Sequence, residues 1–358
     1  MTSDAAASTR AASVRLGLPR PGRRALLVVG AGGVLVATSL LGVLVGPAGL
    51  TPSGVLASLV SALPGVDVAS GLSSQQEAIL WQIRLPRVVL GALVGAMLAV
   101  AGAAYQGVFR NPLADPYLLG VSSGAGLGAT IAIVSGGVVA GLGLPVVAFL
   151  GGLLGVAATY ALGSSVGHGT RSSVVIVLAG VAVAAFLNAV QTFVQQRYDE
   201  TLRSVYSWLL GRLSTQGWSE VLTVLPYVVL ASAVILLHRR VLDVMAVGDT
   251  EARSLGVDAA RTRLLLVLAA TLGTAAVVSV SGLIGFVGIV VPHAVRLLFG
   301  GSHRVLLPVS MLLGAAFLVG ADILARTVMS PAELPIGVVT ALVGAPFFVV
   351  VLRRARMS

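Results

Sequence analysis

The sequence contains no cysteine and no lysine, and it is poor in charge. Without cysteine, disulfides, zinc–thiolate sites and thiol catalysis are excluded, and the redox compartment leaves no trace. Without lysine there is no Walker A loop, whose lysine reaches the nucleotide phosphates, so the chain is not itself a standard P-loop ATPase. Only 10% of the 358 residues are charged, against about 25% in a soluble domain. So few polar groups cannot cover the surface of a water-soluble fold of this length, and lipid is the alternative solvent.

What is present fits lipid. Hydrophobic residues make up 57% of the chain and mean hydropathy is +1.00. A bilayer span needs about 20 mostly apolar residues. Ten runs approach that length, at 25–45, 88–107, 117–135, 145–163, 174–195, 221–238, 264–281, 283–299, 305–328 and 335–352. The first is too long for a signal-peptide core and no small-residue cleavage site follows, so it reads as a retained helix. The 44 glycines suit close helix packing in lipid. The expected fold is an all-α, polytopic membrane bundle of about ten transmembrane helices.

All 23 basic residues are arginine and the net charge is +10. They lie between apolar runs and form no basic domain, so the excess reads as the positive-inside bias of membrane loops and not as a nucleic-acid surface. With the N-terminus in the cytoplasm and alternating spans, only Arg84, Arg87, Arg197, Arg203, Arg212 and Arg326 fall on the outer side. Both termini are therefore expected inside the cytoplasmic membrane. Residues 1–24 read as a basic, disordered cytoplasmic tail, 25–352 as one transmembrane domain and 353–358 as a second tail. The two long outer segments are 46–83 and 196–220. The latter carries Trp208 and Trp218, which suit a helix lying along the membrane surface.

Several positions carry chemistry. The largest inner loop, about 239–263, holds Gly248-Asp249-Thr250-Glu251-Ala252-Arg253-Ser254-Leu255-Gly256, a charged stretch ending at a glycine able to cap a short helix. A connector alone would be shorter. Asn188, Gln191, Thr192 and Gln195 recur at helical spacing and form a polar stripe that must face the bundle or water. Ser172 and Ser173 open the same helix, either as an N-cap or as part of a gate. Pro112, Pro116, Pro292 and Pro335 read as helix ends or breaks. The histidines His168, His238, His293 and His303 are scattered without ligand spacing, so neither metal nor cofactor is expected.

Three stretches carry a resemblance. The first is Trp81-Gln82-Ile83-Arg84-Leu85-Pro86-Arg87, followed by Arg110-Asn111-Pro112-Leu113-Ala114-Asp115-Pro116 and Leu119-Gly120-Val121-Ser122-Ser123-Gly124. The second is Gly285-Phe286-Val287-Gly288-Ile289-Val290-Val291-Pro292-His293 with His303-Arg304. The third is Ala332-Glu333-Leu334-Pro335-Ile336-Gly337 with Gly344-Ala345-Pro346. Together, from about residue 77 to 352, they resemble the FecCD-type permeases. Those are the membrane subunits of binding-protein-dependent ABC importers for iron-siderophores, haem and vitamin B12.

The resemblance implies the type II ABC importer permease architecture, with inverted repeats of helices two to five and seven to ten. It implies a permease dimer (a homodimer or a pairing with a similar permease), two ATP-binding subunits beneath and an extracytoplasmic substrate-binding protein above. It implies that Gly248, Asp249, Glu251, Ala252, Arg253, Leu255 and Gly256 couple to the ATPase. Arg84, Arg87 and Arg326 would meet carboxylates of the binding protein, and Ser172 and Ser173 would lie near a cytoplasmic gate. Apart from the resemblance, the polar stripe from Asn188 to Gln195 is read as a face lining the pathway, the alternative being hydrogen bonds to neighbouring helices. An iron-siderophore is the leading cargo, with cobalamin or haem as alternatives. Selectivity would reside largely in the binding protein. Two other classes remain. An ion-coupled transporter needs ionisable groups near mid-bilayer, where only Asp322 stands, with Arg326 one turn on. A membrane enzyme needs a catalytic constellation, and none is present.

Overall fold

The computed structural model describes residues 21–46, 49–66, 68–166, 173–215 and 217–355. Most of the expected tail before residue 25 and the last three residues of the second tail lie outside them. Helix α1 (Pro21–Leu44) is followed by α2 (Pro52–Ser61) and α3 (Ser74–Ile79), and a π-helical turn at Leu80–Arg84 runs on into α4 (Leu85–Val108). Next comes α5 (Val121–Val134), then a two-residue hairpin of β1 (Val138–Val139) and β2 (Leu142–Gly143). Helices α6 (Leu144–Val166), α7 (Ser173–Arg197), α8 (Leu202–Leu209), α9 (Ser219–Leu237), α10 (Arg239–Met245) and α11 (Asp249–Ser254) follow. The chain ends with α12 (Ala259–Ser281), α13 (Val287–Phe299), α14 (His303–Thr327) and α15 (Ile336–Ala355).

Each of the ten apolar runs is a helix. Seven spans, built on α1, α4, α6, α7, α9, α12 and α14, are long and apolar enough to cross a membrane. The apolar stretches of α5, α13 and α15 are shorter. The lengths follow a repeat: α4 to α7 have 24, 14, 23 and 25 residues, and α12 to α15 have 23, 13, 25 and 20. This order agrees with the inverted repeat that the resemblance implies.

The two short helices begin inside the bundle. Tyr117, just before α5, donates its hydroxyl to the Ile284 carbonyl just before α13, at 3.1 Å. Irregular backbone at that depth is tolerated only when buried in protein. Glycine allows the approach, because a Cβ on Gly102 of α4 would strike the Gly288 carbonyl of α13. Gly282, with φ +69, makes the turn out of α12, where a Cβ would strike the Trp208 carbonyl.

Helix α4 is the axis of the bundle. In its most apolar 18-residue window 83% of the residues are buried, against 17% in that of α1 and 22% in that of α7. The last two therefore keep most of their apolar surface for lipid or a second subunit.

Two sequence expectations change. Pro292 lies inside α13, not at its end. A proline has no N–H for the carbonyl four residues earlier. That carbonyl, on Gly288, instead accepts from Gln106 Nε2 at 3.2 Å, and Gln106 Oε1 accepts from Arg296 Nη2 at 3.0 Å. Trp208 does not present its ring to lipid headgroups: it is 2% exposed and packs with Ala125, Ala129, Ala148 and Val278. The segment carrying α8 folds into the bundle, and the Arg212 N–H donates to the Ser281 carbonyl at 2.7 Å.

Candidate functional site

Functional side chains gather at the two ends of the bundle. At one end lies α11, a single short helix closed at its C-terminus. Its C-terminus is a Schellman motif: the Val257 N–H donates to the Ala252 carbonyl and the Gly256 N–H to the Arg253 carbonyl, both at 2.9 Å. Gly256 takes φ +80 there, a conformation in which glycine is favoured. Ala252 is buried against the bundle, while Glu251, Arg253 and Leu255 face outward, Leu255 being 69% exposed. Gly248 is buried, and a Cβ on it would strike the Glu251 carboxylate.

Asp249 anchors this helix. One oxygen pairs with Arg110 Nη2, at the end of α4, and the other with Arg263 Nη2 in α12 at 3.0 Å. Burial works against the carboxylate. The Arg263 hydrogen bond and charge outweigh it, with Arg110 and Arg253 adding, and hold its pKa below the ordinary value of 3.8. A second anchor lies beside it. Asp243 of α10 accepts from the His303 N–H at 2.6 Å and from the Ser302 hydroxyl at 3.1 Å. It thereby caps α14 from another helix, where the helix dipole favours an anion. Burial works against this carboxylate too, and the His303 ring at 2.9 Å, followed by the His303 N–H and the Ser302 hydroxyl, outweighs it and holds the Asp243 pKa low.

At the opposite end, three expected docking arginines have partners within the chain. Arg84 is 5% exposed. Its Nη1 donates to the Val43 carbonyl at 2.6 Å and the Leu44 carbonyl at 2.9 Å. Arg326 donates to the Gly42 carbonyl at 2.9 Å and the Val45 carbonyl at 3.3 Å. The last carbonyls of a helix lack partners within it, and these two cations supply them for α1. Arg87 pairs with Asp322 at 2.9 Å and with Glu333 at 2.8 Å, and Asp322 also holds Arg326 at 3.0 Å. Glu333 is half exposed, and the Arg87 hydrogen bond keeps its pKa below the usual range.

Sequence reading missed two members of this mouth. Arg203 and Arg212 line one cavity of about 440 Å³ with Ser204 and Ser207. Both are exposed, and neither pairs with a carboxylate among the described residues. Their place outside the positive-inside count was the available signal.

The stripe on α7 divides. Gln191 and Gln195 are turned inward, at 7% and 9% exposure, whereas Asn188 and Thr192 are exposed. Gln191 reaches α5, where a Cβ on Gly126 would come within 3.0 Å of its Oε1. Ser173 opens α7, and Ser172 lies outside the described residues. No group of three or more metal-ligating side chains occurs among the described residues.

Comparison with known proteins joins these features to a family. The FecCD transport family model matches residues 34–354. The cobalamin import system permease protein BtuC of Halobacterium salinarum is 48% identical over 283 residues, covering 79% of this chain and 75% of that one. The hemin transport system permease protein HmuU of Yersinia pestis is 41% identical over 76% of this chain and 83% of that one. The Fe(3+) dicitrate transport system permease protein FecD of Escherichia coli is 40% identical over 78% and 86%. A solved metal-chelate type ABC transporter in an inward-facing conformation superposes with a TM-score of 0.79 at 31% identity, over 92% of this chain and 99% of that chain. With the family model spanning most of its length, this chain belongs to the FecCD transport family.

Proposed function

We propose that the chain is the permease subunit of an ABC importer that carries a metal chelate across the cytoplasmic membrane, with both termini in the cytoplasm. It supplies the route through lipid, two ATP-binding subunits supply the energy, and an extracytoplasmic binding protein delivers the cargo. The observation that carries this reading is α11. It is short and closed at its C-terminus, presents Glu251, Arg253 and Leu255 outward, and is fastened through Asp249 to the end of α4, the most buried span, and to α12. A sideways push on it from a closing ATPase pair moves both spans together.

At the outer mouth Arg87 is the docking arginine, with Glu333 as the exchangeable partner that a binding-protein carboxylate displaces. Arg84 and Arg326 shape that mouth by holding the end of α1. Charge complementarity there sets encounter rate and orientation. Asn188 and Thr192 face the pathway or the second permease of the dimer. Gln191 and Gln195 brace α7 against its neighbours, and Ser172 and Ser173 lie at the inner gate.

Relatives named for haem, ferric dicitrate and cobalamin support a metal chelate as cargo. The 48% identity to a cobalamin permease favours a corrinoid as the second reading after an iron chelate. Ion-coupled transport is disfavoured because Asp322 is neutralised by two arginines.

The test uses the absence of cysteine. A single cysteine introduced as Leu255→Cys should crosslink to the ATP-binding subunit in the assembled complex, and Leu142→Cys in the hairpin should not. Crosslinking of the hairpin and not of α11 would reverse the assignment of the ends.

A further inference from the structure

At the α11 end, four arginines from three elements surround one cavity of about 500 Å³. Arg24 comes from α1, Arg239 and Arg240 from α10 and Arg304 from α14. The remaining wall is apolar, formed by Val28 and Val29 of α1 and Pro308 of α14 with Ala25. The cations are not balanced. The nearest carboxylate, Asp243, stands 3.4 Å from Arg304 Nε and already accepts from Ser302 and His303. Arg24, Arg239 and Arg240 have no carboxylate partner among the described residues. The Nε of Arg24 is buried with no hydrogen-bond acceptor.

We propose that this pocket binds the phosphodiester headgroup of an anionic phospholipid. Guanidinium groups hold phosphate oxygens in bidentate pairs and stay charged at any working pH. Crowded together without counter-charge they repel one another, so an anion between them relieves that repulsion. A lipid, not a free anion, is favoured by what borders the arginines. Arg24 and Arg304 sit at the first turns of the spans α1 and α14, Arg239 and Arg240 open α10 just after the span α9, and exposed apolar surface begins beside them at Val29 and Leu237. An acyl chain would run down the α1 face while the headgroup ties α1 and α14 to α10, the helix that leads into α11. Basic pockets between spans at a cytoplasmic surface suit such headgroups.

The full chain, purified in detergent, is offered equal amounts of phosphatidylglycerol and phosphatidylcholine, and the retained lipid is read by native mass spectrometry. The unmodified chain should retain phosphatidylglycerol over phosphatidylcholine by at least about fivefold. Arg239→Gln with Arg240→Gln should lose most of that preference with an unchanged melting temperature. Equal retention of the two lipids by the unmodified chain overturns the proposal, with no variant needed. So does displacement of the bound lipid by excess inorganic phosphate, which would assign the pocket to a free anion. Neither result bears on import, because no ATPase, binding protein or cargo enters the measurement.

Discussion

Asp249 illustrates what a residue's neighbours add to its sequence context. The charged stretch from Gly248 to Gly256 and its closing glycine were legible, because a cap is a local device. Its partners were not: Arg110 lies 139 residues away, and no periodicity joins such positions. Asp249→Asn removes the charge that ties α11 to α4 and α12. ATP-dependent uptake should fall by about 5- to 150-fold, the span of typical site-to-site coupling, while the ATP-binding subunit still co-purifies. The pH dependence has a defined sign. The folded pKa lies below 3.8, so the anchor is complete above that value and is lost as pH falls through the lower one. Amide exchange of residues 249–257, corrected for its intrinsic pH dependence, should therefore be constant from pH 8 to pH 5.

The arginines at the other mouth show the opposite lesson. Counting charges assigned them to a side of the membrane but not a direction. Arg84 and Arg326 point at the carbonyls ending α1, a demand that exists only once α1 packs beside α14. Gln106 is a similar case, because its role depends on Pro292, which lies 186 positions later in the sequence. Gln106→Leu leaves the Gly288 carbonyl without its donor and Arg296 without an acceptor. It should destabilise the chain by about 1–3 kcal/mol, read as a lowered melting temperature in detergent.

At the scale of elements, the ten apolar runs were correct as helices because a lipid-facing backbone must satisfy itself within each segment. The sequence did not reveal that α5 and α13 are helical over only part of their runs, since an apolar run looks the same whether it is helical from end to end or only in part. The signal was in the glycines. Gly102 and Gly288 let two backbones touch where an ordinary side chain would hold them apart. Gly102→Val should force α4 from α13 and destabilise by about 1–3 kcal/mol or more, because a carbonyl cannot yield as a flexible side chain can. Thermal unfolding beside Gly301→Val, whose site has room for a side chain, checks this. The same reasoning explains the failed surface reading of Trp208, whose indole fills space between α5, α6 and α12.

For the whole molecule, the division of labour follows from composition. A chain without lysine or a Walker A loop cannot hold nucleotide in that manner, so in the proposed importer its motion is driven through a surface. In the importer proposed above α11 is that surface, and α7, with 22% of its most apolar window buried, is left largely uncovered for a second permease or lipid. The most direct test is uptake of labelled ferric chelate and labelled cobalamin into proteoliposomes. The chain is reconstituted alone, and with its ATP-binding subunit and binding protein. The account predicts accumulation of one of these cargoes only with both partners and ATP. Accumulation by the chain alone, or nucleotide hydrolysis by the isolated chain, would contradict it.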